Sequence, residues 1–139
     1  MRILNIGCGP VKHGGYPGIS LVCADSRAHE GAEIANMEQL PYANDSFDVV
    51  VCINALDHTR QADLAVTEMV RVAKSMVYID CALIQKTTSG KNHYWDMLEN
   101  GIMTNGTYAF DMRIYGFEIE FVDNKMERRY NHVIARLTK

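Results

Sequence analysis

The chain has 139 residues, a net charge of −3 at neutral pH, a hydrophobic fraction of 47% and a charged fraction of 22%. These values are typical of one globular domain, so residues 1–139 are predicted to form a single domain with an ordinary core. The mildly negative charge gives no support for nucleic-acid binding, and no apolar run approaches the ~18 residues that a membrane span needs.

The first predicted strand leads into a pair of glycines. Strand Arg2–Ile6 is followed by Gly-Cys-Gly at residues 7–9, and a second strand over residues 19–24 is followed by Asp25. Glycines suit a position where the backbone must lie against a ligand without an intervening Cβ. The acid after the second strand offers a carboxylate that can accept hydrogen bonds from two ribose hydroxyls. The pattern predicts an α/β sheet that binds a nucleoside.

The segments beside the second strand are predicted to be loops. Residues 10–18 contain two prolines and three glycines, which a regular helix does not tolerate. Residues 26–32 are too few for a helical crossover, which normally takes about a dozen residues or more. A short third strand over residues 33–36 and a turn over residues 40–46 follow.

The middle of the chain carries the clearest strand and the clearest helix. Phe47–Ile53 is an almost continuous apolar, β-branched run, typical of a strand that is covered on both faces. A helix is predicted over residues 59–74, because its apolar residues fall on one stripe, and Glu68 and Arg71 can pair on its flank. A further strand is predicted over residues 76–83.

The last third of the chain is predicted to close the sheet. Residues 86–106 are polar and mixed, with a short helix predicted over residues 94–99 that Asn100 and Gly101 would stop. Another helix is predicted over residues 108–115, ending at Gly116. Two final strands, residues 117–122 and 131–137, are joined by too few residues for a crossover and should form an antiparallel hairpin. The whole pattern predicts a mostly parallel sheet with one reversed strand.

The four cysteines show no paired spacing. They are Cys8, Cys23, Cys52 and Cys81, and the last three lie within apolar strands. We therefore expect reduced, buried thiols and no metal site. Because no signal peptide is evident at the N-terminus, the predicted location is cytoplasmic.

Four stretches in this order resemble the class I S-adenosylmethionine-dependent methyltransferases, in particular their small type-11-like members. The stretches are residues 5–9 with Asp25, residues 36–42 followed by 44–50, residues 56–58, and residues 68–72. The second is similar to the family's D-A-E-x-L-P-F…D-x-S-F-D-x-V. The resemblance implies a Rossmann-like three-layer fold, S-adenosylmethionine as the cofactor, and methyl transfer to an acceptor that the sequence does not identify.

The resemblance assigns cofactor-binding roles to the ends of the first two strands. The backbone of Gly7, Cys8 and Gly9 would face the methionine part of the cofactor. Asp25 would bind the ribose hydroxyls. The family's usual acid before the glycines and its third glycine are missing, since Asn5 stands at the first of these positions.

The resemblance assigns further cofactor contacts to the next two strand ends. Asn36 stands where an aspartate usually accepts a hydrogen bond from the adenine amino group, and its side-chain oxygen can still accept that bond. Met37 would donate its backbone N–H to the adenine ring. Ile53 and Asn54, where the fourth strand ends beside the first, would line the methionine end.

Asp57 and His58 are the best catalytic candidates. His58 could accept a proton from a hydroxyl or amine nucleophile near neutral pH. The alternative is that Asp57 or Thr59 caps the helix that begins near residue 60, while His58 only packs beside it. Residues 86–106 would form a flap on the acceptor side, in which Trp95 serves as an aromatic wall or as a core anchor.

Three helices of the family are missing or reduced here, and in the family they cover one face of the sheet. A sheet face left open would expose more apolar area than a monomer usually tolerates, which predicts a homo-oligomer or a protein partner on that face. The same losses favour an alternative function, a non-catalytic S-adenosylmethionine-binding or scaffold subunit. A nicotinamide-dinucleotide enzyme ranks last, because Lys12 occupies the position where its fingerprint needs a glycine.

Overall fold

The fold is built on one seven-stranded sheet. The computed structural model describes residues 1–10, 16–83, 92–123 and 130–139, so parts of the predicted loop at 10–18 and of the predicted flap at 86–106 lie outside the described residues. The elements in chain order are β1 (Arg2–Ile6), β2 (Ser20–Asp25), β3 (Ala32–Ile34), β4 (Phe47–Ile53), α1 (Ala62–Val72), β5 (Ala73–Ala82), β6 (Asp96–Met97), β7 (Ile102–Thr104), β8 (Ala109–Asp111), β9 (Glu118–Val122) and β10 (His132–Thr138). The large sheet has the order β3-β2-β1-β4-β5-β10-β9.

The predicted topology of the sheet is confirmed. Strands β1 to β5 are mutually parallel, and β10 is antiparallel to both β5 and β9. The bounds of β1 and β4 are those predicted. Turn residues follow the apolar run of β1, and turn residues precede that of β4. Because parallel neighbours end at the same edge, the carboxyl ends of β1, β2 and β4 come together there.

Helix α1 is shorter than predicted at both ends. Gln61 is its N-cap, and the helix ends at Val72 because Ala73 is already extended, with φ −78° and ψ 135°. Ala73 opposes Phe47 in the β4–β5 ladder, so sheet pairing takes over from the helix at that residue. The buried residues of the helix form the predicted stripe and are Ala62, Ala65, Val66, Met69 and Val72.

Two helix predictions in the last third of the chain are wrong. No helix forms over residues 94–99, which contain β6, and the first half of 108–115 contains β8; together with β7 these strands form a separate antiparallel sheet. Only Met112–Tyr115 coils, as a 3₁₀ helix, and it ends at the predicted Gly116, whose φ of 91° is left-handed.

The turn at Gly101 explains the first of these errors. Its N–H donates to the carbonyl of Leu98, so the residue expected to stop a helix instead forms the β6–β7 hairpin turn. A Cβ on Gly101 would lie 2.5 Å from a side-chain carbon of Ile119 on β9, so the turn packs against the large sheet. Trp95 and Met97, two residues apart, are both buried, which is the period of a strand.

Helix α1 and the second sheet cover the same face of the large sheet. Leu4, Val50 and Val77 are aligned across β1, β4 and β5, and each is fully buried in the core cluster that includes the stripe of α1. The second sheet meets this face too, since Gly101 and Gly116 abut Ile119 and Leu137.

The opposite face of the large sheet is open over the described residues. Side chains alternate along strands, so Val49 and Val51 of β4 and Tyr78 of β5 project there, and all three are only partly buried. The part of the chain before β4 that the structure describes contains no helix, as predicted. None of the helices in the described ranges has the length and apolar character that crossing a bilayer requires.

Candidate functional site

A cavity of about 850 Å³ lies at the carboxyl edge of the parallel strands. Its lining includes six of the eight predicted cofactor residues, namely Gly7, Gly9, Asp25, Asn36, Met37 and Asn54. Cys8 and Ile53 do not line it. Of the two catalytic candidates, His58 lines the cavity and Asp57 does not.

The turn after β1 requires glycine. Gly7 has a φ of 68° and its N–H donates to the carbonyl of Ala24, 2.8 Å away. A Cβ on Gly7 would lie 2.2 Å from the Cβ of Ala55, so the loops after β1 and β4 approach closely only because that atom is missing. Gly9, with φ 59°, lines the cavity and has open space where its Cβ would be.

The carboxylate of Asp25 is held by backbone amides. Gly9 donates to Oδ2 at 2.9 Å and Arg27 donates to Oδ1 at 3.0 Å. Nε2 of His29 is 3.7 Å from Oδ1. Each carboxylate oxygen can accept a further hydrogen bond, so Asp25 presents a fixed acceptor to the cavity.

Asn36 and Met37 lie in the turn after β3. Oδ1 of Asn36 accepts the N–H of Glu38 at 2.9 Å, which leaves one of its two lone pairs for another donor. The terminal methyl of Met37 lies 3.8 Å from where a Cβ on Gly7 would be, so its side chain packs beside the turn after β1.

Asn54 ends β4 in a constrained backbone conformation. Its φ is 50°, which is uncommon for a residue other than glycine. Its N–H donates to the carbonyl of Asp80 and its Oδ1 accepts the N–H of Ala82, both at 2.8 Å. Two bonds to β5 thus offset the strain and fix this corner of the cavity. Ile53, which is 46% exposed, projects to the open face instead.

Cys8 faces the interior between the first two strands. Burial, together with the neighbouring Cys23, raises the pKa of its thiol to about 11. A neutral, buried thiol at this position is compatible with the predicted role of Cys8, which involves its backbone alone.

Glu38 is a structural residue that the sequence did not single out. Its Oε1 accepts hydrogen bonds from the hydroxyl of Thr59 at 2.6 Å and from the N–H groups of Arg60 and Gln61 at 2.9 Å. From a distant turn it therefore binds the N–H groups of the N-cap residue Gln61 and of Arg60 before it, and so holds the start of α1 in place. The predicted alternative, capping by Asp57 or Thr59, is wrong, since the helix has no side-chain cap of its own. Burial alone would raise the pKa of Glu38, but these hydrogen bonds lower it below its ordinary value.

Glu68 and Arg71 pair as predicted, and they also hold the turn after β3. Nε of Arg71 donates to Glu68 Oε1 at 2.7 Å, and its other nitrogens donate to the carbonyls of Leu40 and Tyr42. Glu68 in turn accepts the N–H of Leu40 at 2.8 Å. This carboxylate–guanidinium pair fixes the loop that carries Asn36 and Glu38.

The two catalytic candidates belong to a larger cluster. Nε2 of His58 is 3.5 Å from Oδ2 of Asp57, and Nδ1 of His93 is 2.9 Å from the same oxygen. Nε2 of His93 is also 2.7 Å from Oδ1 of Asp96. The sequence could not indicate this arrangement, because the segments carrying His58 and His93 are far apart in the chain.

The backbone ties these two segments together. The carbonyl of Asp57 accepts the N–H groups of Tyr94 and Trp95, at 2.8 and 3.2 Å. The indole N–H of Trp95 donates to the carbonyl of Arg60 at 3.0 Å, and the ring is buried. Trp95 is therefore the core anchor rather than an aromatic wall, while Tyr94 lines the cavity.

The fold corresponds to that of methyltransferases. Residues 19–79 match the family described as a methyltransferase domain. No curated protein matches the sequence. Among solved structures, the chain resembles 1,6-didemethyltoxoflavin-N1-methyltransferase of Burkholderia thailandensis, with TM-score 0.64 and 10% identity over 99% of this chain and 70% of that one.

Two further structures show the same fold. An Aquifex aeolicus methyltransferase aligns with TM-score 0.58 and 12% identity over 98% of this chain and 81% of that one. A complex between the Trm112 methyltransferase activator and a methyltransferase of Haloferax volcanii aligns with TM-score 0.63 and 12% identity over 97% and 80%. The predicted fold is thus confirmed: the chain has the fold of the class I S-adenosylmethionine-dependent methyltransferases.

The chain is short beside some of its relatives. It spans 45% of the YcgJ protein of Bacillus subtilis, at 22% identity and TM-score 0.49. It spans 41% of a Bacillus halodurans protein, at 21% identity and TM-score 0.47.

Proposed function

We propose that this chain is an S-adenosylmethionine-dependent methyltransferase that binds its cofactor in the cavity at the carboxyl edge of the sheet. The observation that carries the proposal is the meeting of three groups in that cavity: the glycine turn after β1, the carboxylate of Asp25, and the fixed corner at Asn54. The acceptor would enter beside His58, and its identity is left open.

The residues present fit this cofactor. A volume of about 850 Å³ lies within the range of about 300–1,000 Å³ typical of small-molecule sites. Asp25 would hold the ribose, the backbone of Gly7 and Gly9 would face the methionine part, and Asn36 and Met37 would face the adenine. The spare lone pair on Oδ1 of Asn36 supports the adenine contact without requiring the turn to open.

Methyl transfer from this cofactor depends more on the positioning of the reacting groups than on acid–base catalysis. The cofactor supplies a methyl group already activated on a sulfonium sulfur. Orientation of reacting groups can be worth ~7–11 kcal/mol in favourable cases. On this chain, Asn54 is held by two bonds to β5, and His58, whose side chain is 51% exposed, is placed to accept a proton from the acceptor.

A calorimetric titration with S-adenosylmethionine and S-adenosylhomocysteine tests the cofactor site. We expect binding near micromolar, about −8 kcal/mol, and a loss of at least tenfold in Asp25→Asn. Asp48→Asn is the matched control, because Asp48 also accepts a backbone N–H, that of Arg2 at 2.7 Å, but at the other end of the strands. Equal affinities in the two variants would contradict the role of Asp25.

The alternative of a non-catalytic subunit is tested by methyl transfer itself. It is favoured by the missing helices before β4 in the described part of the chain. If the purified chain binds the cofactor yet forms no S-adenosylhomocysteine with hydroxyl, amine or thiol acceptors, the scaffold function becomes the better proposal. Formation that depends on an acceptor supports the enzyme.

We also propose that the open sheet face is covered by another polypeptide, either a second copy or a different protein. Three rows of side chains cross it; Asn5 and Asp80 are polar members, and the partly buried apolar members are Ile3, Leu21, Cys23, Val49, Val51, Met76, Tyr78 and Ile134. A contiguous apolar surface of this kind usually marks an interface. The Haloferax methyltransferase, which has the same fold, was solved in complex with an activator protein. Domains of this fold therefore have a precedent for binding a protein partner.

Sedimentation velocity tests self-association through this face. We expect the wild-type chain to sediment as an oligomer and Val51→Asp to sediment as a monomer. Leu64→Asp is the control, since Leu64 is exposed on α1, on the other side of the molecule. A wild-type chain that stays monomeric at high concentration would leave only a different protein as the partner.

We further propose a cytoplasmic location. All four cysteines are free, as expected for a reducing compartment, and three of them are buried. Fractionation with a specific antibody would test this, and recovery outside the cytoplasmic fraction would contradict it.

A further inference from the structure

The cluster beside the cavity brings two imidazoles and a carboxylate to one point. One nitrogen each from His58 and His93 and one oxygen of Asp57 all lie within 4.8 Å of one another. The shortest separations are 2.9 Å, from His93 to Asp57, and 3.5 Å, from His58 to Asp57. These are the separations of ligand atoms that share an ion.

The remaining nitrogen of each histidine is already engaged. Nδ1 of His58 is 2.8 Å from the carbonyl oxygen of Asn92, so it carries the hydrogen and Nε2 keeps its lone pair. Nε2 of His93 is 2.7 Å from a carboxylate oxygen of Asp96, so it donates there and leaves the lone pair of Nδ1 directed to the cluster. Carbonyl and carboxylate partners of this kind orient metal-binding histidines.

Two buried atoms of the cluster lack hydrogen-bond partners. Among the described residues, Oδ1 of Asp57 and Nδ1 of His93 form no hydrogen bond, although the two residues are only 6% and 7% exposed. The short approach of Nδ1 to the carboxylate is therefore not a hydrogen bond. Buried polar atoms without partners cost free energy. A cation held by Nδ1 of His93 and Oδ2 of Asp57 would give Nδ1 the partner that it lacks.

We propose that Asp57, His58 and His93 bind one divalent transition-metal ion of the series from Mn²⁺ to Zn²⁺. Two imidazoles with one carboxylate suit these ions better than Mg²⁺ or Ca²⁺, which prefer oxygen. Metal–ligand bonds of about 2.1 Å place neighbouring ligand atoms roughly 3.0–3.4 Å apart, close to the separations found here. This site departs from the sequence-based prediction of no metal, because its ligands come from two distant segments.

The open coordination positions of the ion face the cavity. The side chains of His93 and Asp57 are 2% and 9% exposed, whereas that of His58 is 51% exposed and lines the cavity. Three protein ligands leave room for water or substrate. The next step rests on the proposed function: the ion would bind a hydroxyl oxygen of the acceptor and promote loss of its proton to solvent, so that this oxygen takes the methyl group and the sulfonium leaves as the thioether of S-adenosylhomocysteine. With the ion bound, Nε2 of His58 is a ligand and no longer the proton acceptor, and the site selects acceptors that coordinate through oxygen.

Cobalt binding by the full, metal-stripped chain tests the site directly. Titration with Co²⁺, followed by visible absorption, should reach saturation at one ion per chain, without the sulfur-to-metal charge-transfer bands that cysteine ligands produce. We expect His93→Gln and His58→Gln each to weaken binding at least roughly 100-fold, and Asp96→Asn to weaken it about 10–100-fold. Loss of binding in His58→Gln cannot be attributed to misfolding, because the side chain of His58 is half exposed and its replacement should leave the fold intact.

His132 provides the matched control. Its Nδ1 is 2.7 Å from a carboxylate oxygen of Asp80, so it is also a histidine paired with an acid, but it lies on β10. His132→Gln should bind Co²⁺ like the wild type. Absence of Co²⁺ binding, equal binding in the His58 and His93 variants, or charge-transfer bands would each overturn the proposal. If His93 is instead a cation between two carboxylates, the chain will bind no Co²⁺.

The acceptor step has its own readout, separate from the cofactor titration. His93→Gln should retain its affinity for S-adenosylmethionine while losing metal-dependent methyl transfer to oxygen acceptors. Failure of cofactor binding in the wild type would contradict the proposed function and leave the Co²⁺ result unaffected. Transfer that survives removal of the metal would overturn the acceptor step alone.

Discussion

Gly7 and Ala55 pack so closely that the turns after β1 and β4 can meet only through a glycine. A Cβ on Gly7 would lie 2.2 Å from the Cβ of Ala55, and its φ of 68° is left-handed. Gly7→Ala should therefore lower the free energy of unfolding by roughly 2–5 kcal/mol, from backbone strain and overpacking together. Urea denaturation would measure the loss.

Two variants separate the strain from the clash. Gly18→Ala has a similar φ of 75° but open space around the new Cβ, so it should lose only about 1–2 kcal/mol. Ala55→Gly combined with Gly7→Ala removes the clashing atom and should recover part of the loss. A Gly7→Ala variant no less stable than Gly18→Ala would show that the two turns separate without cost.

Glu38→Gln should destabilise the chain by about 1–2 kcal/mol at neutral pH, because it removes the negative charge that faces the N-terminus of α1. The pKa of Glu38 is lower in the folded state than its ordinary value of 4.5. Its stabilisation is therefore fully present above that value and is lost as the pH falls through the folded-state pKa.

Urea denaturation at pH ~7 and ~3.5 checks both parts of this prediction. The difference between wild type and Glu38→Gln should be clear at the higher pH and should shrink at the lower pH. Glu99→Gln, at an exposed turn, is the control and should be nearly neutral. A difference that does not change with pH would mean that the charge of Glu38 is not what stabilises the helix.

Arg71→Lys should cost about 2 kcal/mol, even though it keeps the charge. The guanidinium of Arg71 bonds both oxygens of Glu68 and the carbonyls of Leu40 and Tyr42, a planar geometry that an ammonium group does not reproduce. Arg136→Lys is the control: Arg136 pairs with Glu120 on the surface, and such pairs contribute about 0–1 kcal/mol. Thermal unfolding of both variants would show equal stability if the geometry at Arg71 is unimportant.

The sheet was predictable where the signal is local. Strands β1 and β4 are apolar runs bounded by turn residues, and their predicted bounds agree with the structure. Strands β6 to β8 have only two or three residues each, too few to show a period, and their conformation depends on packing against β9.

The cavity lining could be predicted only in part, because only some of its residues carry a local signal in the sequence. The glycines follow β1 and Asp25 ends β2, so their convergence at one edge follows from parallel topology. The cap of α1 by Glu38 and the approach of His93 to Asp57 join segments distant in the chain. No spacing rule indicates such contacts, since they depend on how the loops fold back.

The buried thiols should resist alkylation in the folded chain. Burial, together with the charge of Asp57, raises the pKa of Cys52 to about 12. Relative to the ordinary value of 9.0, that lowers its thiolate fraction at pH 8 roughly a thousandfold. Burial likewise raises the pKa of Cys81. Iodoacetamide should therefore label the partly exposed Cys23 first, and label Cys52 and Cys81 only after unfolding, as peptide mass spectrometry across a urea series would show. Early labelling of Cys52 without denaturant would mean that the strand pair β4–β5 opens locally far more often than a central parallel pair should.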